Sequence, residues 1–250
     1  MSESDTYQRI LAVETATRVQ SVALIDGDEL LEHRQRRVAY NHGSSLLKTI
    51  DTVFDGRDIE LADIDLFAVG IGPGSFTGTR VGLADAKALS RAVETPIVGV
   101  SSLAALAYQP ARISPGATVI AAIDARRREV YAGAYRFEEG ELKTVLDDRA
   151  ASPDDWRTTV EEQLSGELIQ VGNGVERYDV LADWELANLD TIPTDLVAPS
   201  AVGVARLGRH IALEEGPHDR VNLQPNYIRP SDAVLPDKPL GEMPEEPEEL

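Results

Sequence analysis

The sequence predicts an α/β protein with mixed sheets, and three observations carry that prediction. The apolar run Leu66-Phe67-Ala68-Val69 leads into Gly70 to Gly82, a stretch with five glycines in thirteen residues. That stretch opens a helical run, Val81 to Val93. A strand, a glycine turn and a helix in succession form a unit of α/β folds. The apolar runs Ile10–Val13 and Ser21–Ile25 are followed by Asp26-Gly27-Asp28, which turns the chain back through Glu29 to Arg37. Two hairpin-linked strands beside a crossover strand make the sheet mixed, not purely parallel.

At 250 residues the chain can bury a sizeable core and hold one or two domains. It has no cysteine, which excludes a disulfide framework and thiolate metal sites. No apolar run reaches the ~20 residues that span a bilayer. The first ten residues include Glu3 and Asp5 and lack a basic-then-apolar leader, so a cytoplasmic location is expected. The net charge is −19, with 24 Lys and Arg of which only four are lysine. A whole-chain potential this negative disfavours direct binding of nucleic-acid backbone, which needs Lys and Arg to neutralise phosphates. High acid content with scarce lysine also predicts adaptation to salt.

Further along, Asn41-His42-Gly43-Ser44-Ser45 opens a helix that carries Leu46, Leu47, Ile50, Val53 and Phe54 on one stripe, and Asp55-Gly56 closes it. The helix after the glycine turn carries the small residues Gly82, Ala84, Ala86, Ala88 and Ala92, which permit close helix packing. Pro96–Val100 reads as a strand, and Ser101 as the cap of a helix over Leu103–Tyr108. Pro110 to Gly116 is turn-rich and marks the expected lobe boundary.

A strand at Val119–Ile123, a hairpin of Val130–Phe137 with Leu142–Leu146, a helix start at Ser152-Pro153 and a strand at Leu168–Val171 follow. Ser200 caps a helix over Val202–Leu213. From Ser231 the chain has four prolines and seven acids against Lys238 alone, and reads as disordered. The expected domains are therefore an N-terminal lobe at 1–109, a C-terminal lobe at 110–230 and an acidic tail at 231–250. No repeat of 20–50 residues is visible.

A phosphate loop of the type G-x-x-x-x-G-K-[ST] needs a lysine, and none lies between Lys48 and Lys87. The dinucleotide pattern G-x-G-x-x-G fails at Thr77. A structural turn and a ligand loop both remain open for Gly70, Gly72, Gly74 and Gly78. Glu14, Asp124 and Glu129 are acids at strand ends that could hold Mg²⁺ through water, although acids are common there. The four histidines, His33, His42, His210 and His218, include no helical i, i+4 pair. Ser75 lacks the flanking glycines of a nucleophile elbow. An α/β protein with a glycine loop and no convincing catalytic set fits a binding subunit better than an enzyme.

The segments Ile10–Thr17, Ser21–Leu24, Gly70–Gly82, Gly99–Leu103, Ala122–Tyr131 and Pro225–Arg229 together resemble the TsaB (YeaZ) family, in the same order. The resemblance spans about Ile10 to Arg229. It implies the actin-like ATPase fold, with two ribonuclease H-like lobes of mixed sheets flanked by helices. It also implies a non-catalytic role in making N6-threonylcarbamoyladenosine at tRNA position 37. The chain would pair with and support the transferase TsaD, joined by the ATPase TsaE, and would form a homodimer when alone. No cofactor is expected in the isolated chain, with ATP used by the partner subunits, and tRNA would be met through the complex with little direct contact. TsaD-type proteins carry an H-x-x-x-H metal motif where this chain has only His42, so no metal site is expected.

The family's pairing surface lies on its first two helices, here Ser44–Phe54 and Thr79–Val93. Leu46, Leu47 and Ile50, with Gly82, Ala86 and Leu89, are the candidate contact residues. Under this reading the glycine turn launches the pairing helix, and Gly82 opens room for a neighbouring helix. The rival classes are an ATP-dependent kinase of the same fold and a metallopeptidase.

Overall fold

The computed structural model describes residues 6–38, 43–186, 188–193 and 198–229. His42 and the acidic segment 231–250 lie outside the described residues.

β1 (Arg9–Glu14), β2 (Val19–Asp26) and β3 (Glu29–Arg37) form an antiparallel meander. Helical crossovers then return β4 (Leu66–Gly70) parallel to β1, and β5 (Ile97–Val100) parallel to β4. The sheet order is β3-β2-β1-β4-β5. The second half repeats this plan. β6 (Thr118–Arg126), β7 (Glu129–Glu138) and β8 (Glu141–Ala151) form the meander, and β9 (Leu168–Val171) and β10 (Leu189–Ile192) add in parallel. Two mixed sheets of one topology form the duplicated ribonuclease H-like architecture of the actin-like ATPase fold.

Strand alternation decides the cores. Ile10, Ala12, Ala23 and Ile25 face α7 (Ala201–Glu214) and α3 (Ser102–Ile113). Leu11, Val13, Val22 and Leu24 face α1 (Gly43–Thr52) and α2 (Phe76–Ala92), meeting Leu46, Ile50, Leu83 and Ala86. In the second sheet Val119, Ala121 and Ile123 face α3, whereas Ile120 and Ala122 face Trp156 and Val160 of α4 (Pro153–Gln163).

Several boundaries differ from expectation. α3 runs through Pro110 to Ile113, so the division at 109/110 falls inside a helix. α3 supplies Ala105 and Tyr108 to one core and Leu103 and Leu106 to the other, and that burial outweighs the proline's missing donor. α7 follows the second sheet in sequence yet packs on the first. Beyond α7, the His218 backbone N–H donates to Ile97 O and the Asn226 N–H to Ile71 O at 2.7 Å, so the chain runs along the first lobe before Arg229 reaches Glu129 and Ala125 of the second. α2 begins at Phe76, because Ser75 Oγ accepts the Gly78 N–H and caps it. β8 extends to Ala151, and β10 and the short helices α5 (Asn173–Arg177) and α6 (Asp179–Ala182) were not foreseen.

Candidate functional site: the glycine turn and the outer face of the first two helices

The glycine stretch is built against the β1–β2 turn of the same chain. Glu14 ends β1 fully buried. One of its carboxylate oxygens accepts the Ala16 N–H at 2.6 Å, and the other accepts the Ser102 hydroxyl at 2.7 Å. Ser102 Oγ in turn accepts the Gly72 N–H, and Ser102 N–H donates to Gly72 O at 2.8 Å. One carboxylate thus ties β1, the glycine turn and the start of α3. Burial pushes the Glu14 carboxyl above its usual range, against the pull of the Ala16 and Ser102 hydrogen bonds.

Gly70, Gly74, Gly78 and Gly82 recur every four residues, and each lies against that turn. A Cβ would stand 2.0 Å from Glu14 Oε2 at position 70, 2.4 Å from Ala16 O at 74, 2.2 Å from Thr15 O at 78 and 2.2 Å from Thr15 Oγ1 at 82. Gly72 serves another need, since its φ is +89°. The room at Gly82 is therefore taken by Thr15 within the chain rather than by a neighbouring helix.

Part of the donor set a phosphate would want is taken up within the chain. Ser75 N–H donates to Ala16 O at 2.7 Å, Thr79 N–H to Ser75 O and Gly78 N–H to Ser75 Oγ. Ser75 acts as a helix cap. The cleft between the lobes, bordered by Arg18, Arg37, Leu106, Ile123 and Asn173, holds about 210 Å³. Pockets for ligands of drug or cofactor size run from roughly 300 to 1,000 Å³.

The candidate acids are separately engaged. Asp124 accepts from Arg126 N–H and Tyr178 hydroxyl, and Glu129 pairs with Arg229 at 2.6 Å. Among the described residues no group of three or more His, Asp or Glu side chains converges as a metal site would require. His33 shares a hydrogen bond with Ser21 Oγ at 2.9 Å, and burial holds its imidazole below the usual range. His218 Nδ1 accepts the Gly99 N–H.

The six candidate contact residues divide between inner and outer faces. Leu46, Ile50, Gly82 and Ala86 are buried under the first sheet. Leu47 is 46% exposed and Leu89 is half-buried. Thr77, Ala84 and Ala88 share the exposed side of α2, opposite the inward glycines. Between α1 and α2 an apolar depression of about 300 Å³ is lined by Leu47, Ile50, Phe54, Leu61 and Leu89. Asp85, on α2, carries a buried carboxylate oxygen with no hydrogen-bond partner, and burial raises its carboxyl. Sequence periodicity gave no means of choosing between the two small-residue faces of α2. Turning Gly78 and Gly82 inward decides it.

The family model described as TsaD, tRNA N6-adenosine threonylcarbamoyltransferase, matches residues 35–188. The Escherichia coli tRNA threonylcarbamoyladenosine biosynthesis protein TsaB is 36% identical over 88% of this chain and 94% of its own. The Bacillus subtilis protein of that name is 28% identical over 90% of this chain and 95% of its own. Among solved structures, YeaZ from Pseudomonas aeruginosa superposes with a TM-score of 0.75 at 26% identity, over 88% of this chain and 99% of that one. Another structure, described as similar to peptidase YEAZ from Pseudomonas aeruginosa, gives 0.74 at 27% identity, over 89% of this chain and all of that one. The order β3-β2-β1-β4-β5, the glycine turn pinned by Glu14 and these likenesses agree, and the chain belongs to the TsaB (YeaZ) family of tRNA threonylcarbamoyladenosine biosynthesis proteins.

Proposed function

We propose that the chain is a non-catalytic subunit of the assembly that makes threonylcarbamoyladenosine in tRNA, and that it pairs with a TsaD-type transferase through the outer faces of α1 and α2. The observation that carries the pairing is the exposed set Leu47, Ala84 and Ala88, with half-buried Leu89 beside it, above the core beneath the two helices. Exposed apolar and small side chains at that place let a second pair of helices approach closely. The unpartnered Asp85 oxygen on the same helix supports the reading, because an interface supplies donors to such groups. Without the transferase, two copies of the chain meet through the same face as a homodimer in the cytoplasm.

The non-catalytic assignment rests on what the candidate groups do. Ser75 caps a helix, Glu14 holds the glycine turn, and Asp124 and Glu129 brace a hairpin. The chain needs no nucleotide of its own, and ATP is spent by the other subunits, including a TsaE-like ATPase. A peptidase reading would require an activated nucleophile or a metal-ligand cluster. Ser21, bonded to His33, is fully buried and its Oγ accepts the Ala201 N–H, and no metal-ligand cluster is present among the described residues.

Size-exclusion chromatography of the chain mixed with a TsaD-type transferase tests the pairing. A heterodimer is expected for the wild type, with loss of it in Ala88→Glu. A heterodimer that survives Ala88→Glu refutes this face as the interface.

A further inference from the structure

The β6–β7 hairpin turns through three consecutive arginines held at positive φ, Arg126 at 60°, Arg127 at 52° and Arg128 at 63°. Arg126 pairs with Glu129 across the turn, so Arg127 and Arg128 are its two central residues. A two-residue hairpin with both central φ angles positive ordinarily takes Asn-Gly, because L side chains with a full Cβ rarely adopt that backbone. Here it takes Arg-Arg, and all three arginines are exposed. Strain of this kind persists only where surrounding structure imposes it.

The imposition is visible. Asp124 accepts the Arg126 N–H at 2.9 Å and is itself bonded by the Tyr178 hydroxyl, which also reaches Glu129 O. From the other side Arg229 pairs with Glu129 and donates to Ala125 O.

Arg229 belongs to a strap that continues the basic surface onto the first lobe. Tyr227, two residues earlier and so within about 7 Å along the chain, receives Arg80 Nε at its hydroxyl at 2.6 Å. The Arg80 guanidinium lies 3.6 Å from the Phe76 ring centroid, and the Phe76 and Tyr227 rings are 5.6 Å apart. Phe76 and Tyr227 are 44% and 42% exposed. On a chain of net charge −19, cations and accessible aromatic rings are thus gathered on one strip.

We propose that this strip holds RNA directly, with the Arg126–Arg128 turn on backbone phosphates and the Phe76–Tyr227 pair stacking an unpaired base. Guanidinium groups match phosphate geometry, and aromatic rings interleaved with arginine are the usual platform for single-stranded RNA. The expectation of little direct tRNA contact follows from the net charge and yields at this strip. The inference rests on the reading of the chain as a subunit of a tRNA-modifying assembly.

Binding of fluorescently labelled tRNA to the full chain, titrated between about 50 and 200 mM KCl, tests it. The wild type should bind with a steep negative salt slope. The double variant Arg126→Asn, Arg128→Asn should lower that slope by about 2 and weaken binding at low salt by about 10-fold or more. Its thermal midpoint should hold or rise, because Asn tolerates positive φ. Phe76→Ala should weaken binding by about 10-fold with the slope unchanged, the signature of stacking. Absence of wild-type binding, or an unchanged slope in the double variant, overturns the proposal. Loss of transferase pairing in the double variant with tRNA binding intact assigns the strip to a protein partner and also overturns it. Transferase pairing of the wild type is read separately by chromatography, so failure there strikes the proposed function and leaves the RNA measurement to stand on its own.

Discussion

Ser102 donates its hydroxyl to Glu14 at 2.7 Å, joining the end of β1 to the start of α3 beneath the glycine turn. That acid is fully buried and spent on internal hydrogen bonds, and the glycines let the chain close around it.

Glu14 gives a pH signature. Its carboxyl titrates above the ordinary 4.5 because burial disfavours the charge. The folded state therefore binds this proton more tightly than the unfolded chain. The contribution to stability is full below pH 4.5 and is lost as pH rises through the folded value. Urea unfolding from pH 4 to 8 should show the stability of the wild type relative to Glu14→Gln falling over that window. A difference that stays flat contradicts the assignment.

Gly78 and Gly82 separate backbone from side-chain contact. Gly78→Ala places a methyl against Thr15 O and should cost about 3 kcal/mol or more in urea unfolding. Gly82→Ala meets Thr15 Oγ1 instead, so it should cost about 1–3 kcal/mol. Adding Thr15→Ala should recover part of the Gly82→Ala loss and none of the Gly78→Ala loss.

On α2 neighbouring alanines should behave oppositely. Ala88 is exposed, so Ala88→Glu should alter stability by no more than about 0.5 kcal/mol while abolishing pairing. Ala86 is 1% exposed, and Ala86→Glu should cost about 3 kcal/mol or more by burying an unpaired charge. Urea unfolding and size-exclusion chromatography read the two effects separately.

The charge of −19 makes the fold salt-dependent. Screening relieves self-repulsion among the acids, so the thermal midpoint should climb from low to molar KCl. A flat or falling midpoint would contradict adaptation to salt.

Much of the fold was legible because local signals and topology agree. Asp26-Gly27 turned β2 into β3, and Ser101, Ser152 and Ser200 each cap the helix they precede. What stayed hidden depends on contacts between distant segments. Identical sheet orders leave no sequence repeat, since strand pairing fixes alternation and not residue identity. Pro110 reads as a helix stop, yet burial of α3 between two cores carries the helix past it. The packing of α7 on the first sheet is likewise set by tertiary contact alone. On α2 the inward Gly82 and Ala86 and the outward Ala84 and Ala88 are alike as small residues, and the contact of Gly82 with Thr15, far away in sequence, is what separates the two faces. The strap from Tyr227 to Arg229 joins residues some 100 to 150 positions apart, beyond any spacing rule.

If the chain supports a transferase by pairing through the outer face of α1 and α2, modification of tRNA depends on that face. The most direct measurement is threonylcarbamoyl incorporation into tRNA by a TsaD-type transferase, with threonine, bicarbonate, ATP and the other pathway proteins, in three reactions: with the wild-type chain, without it, and with Ala88→Glu. Modification is expected only with the wild type, and the two other reactions should match each other. Equal modification in all three would contradict the claim.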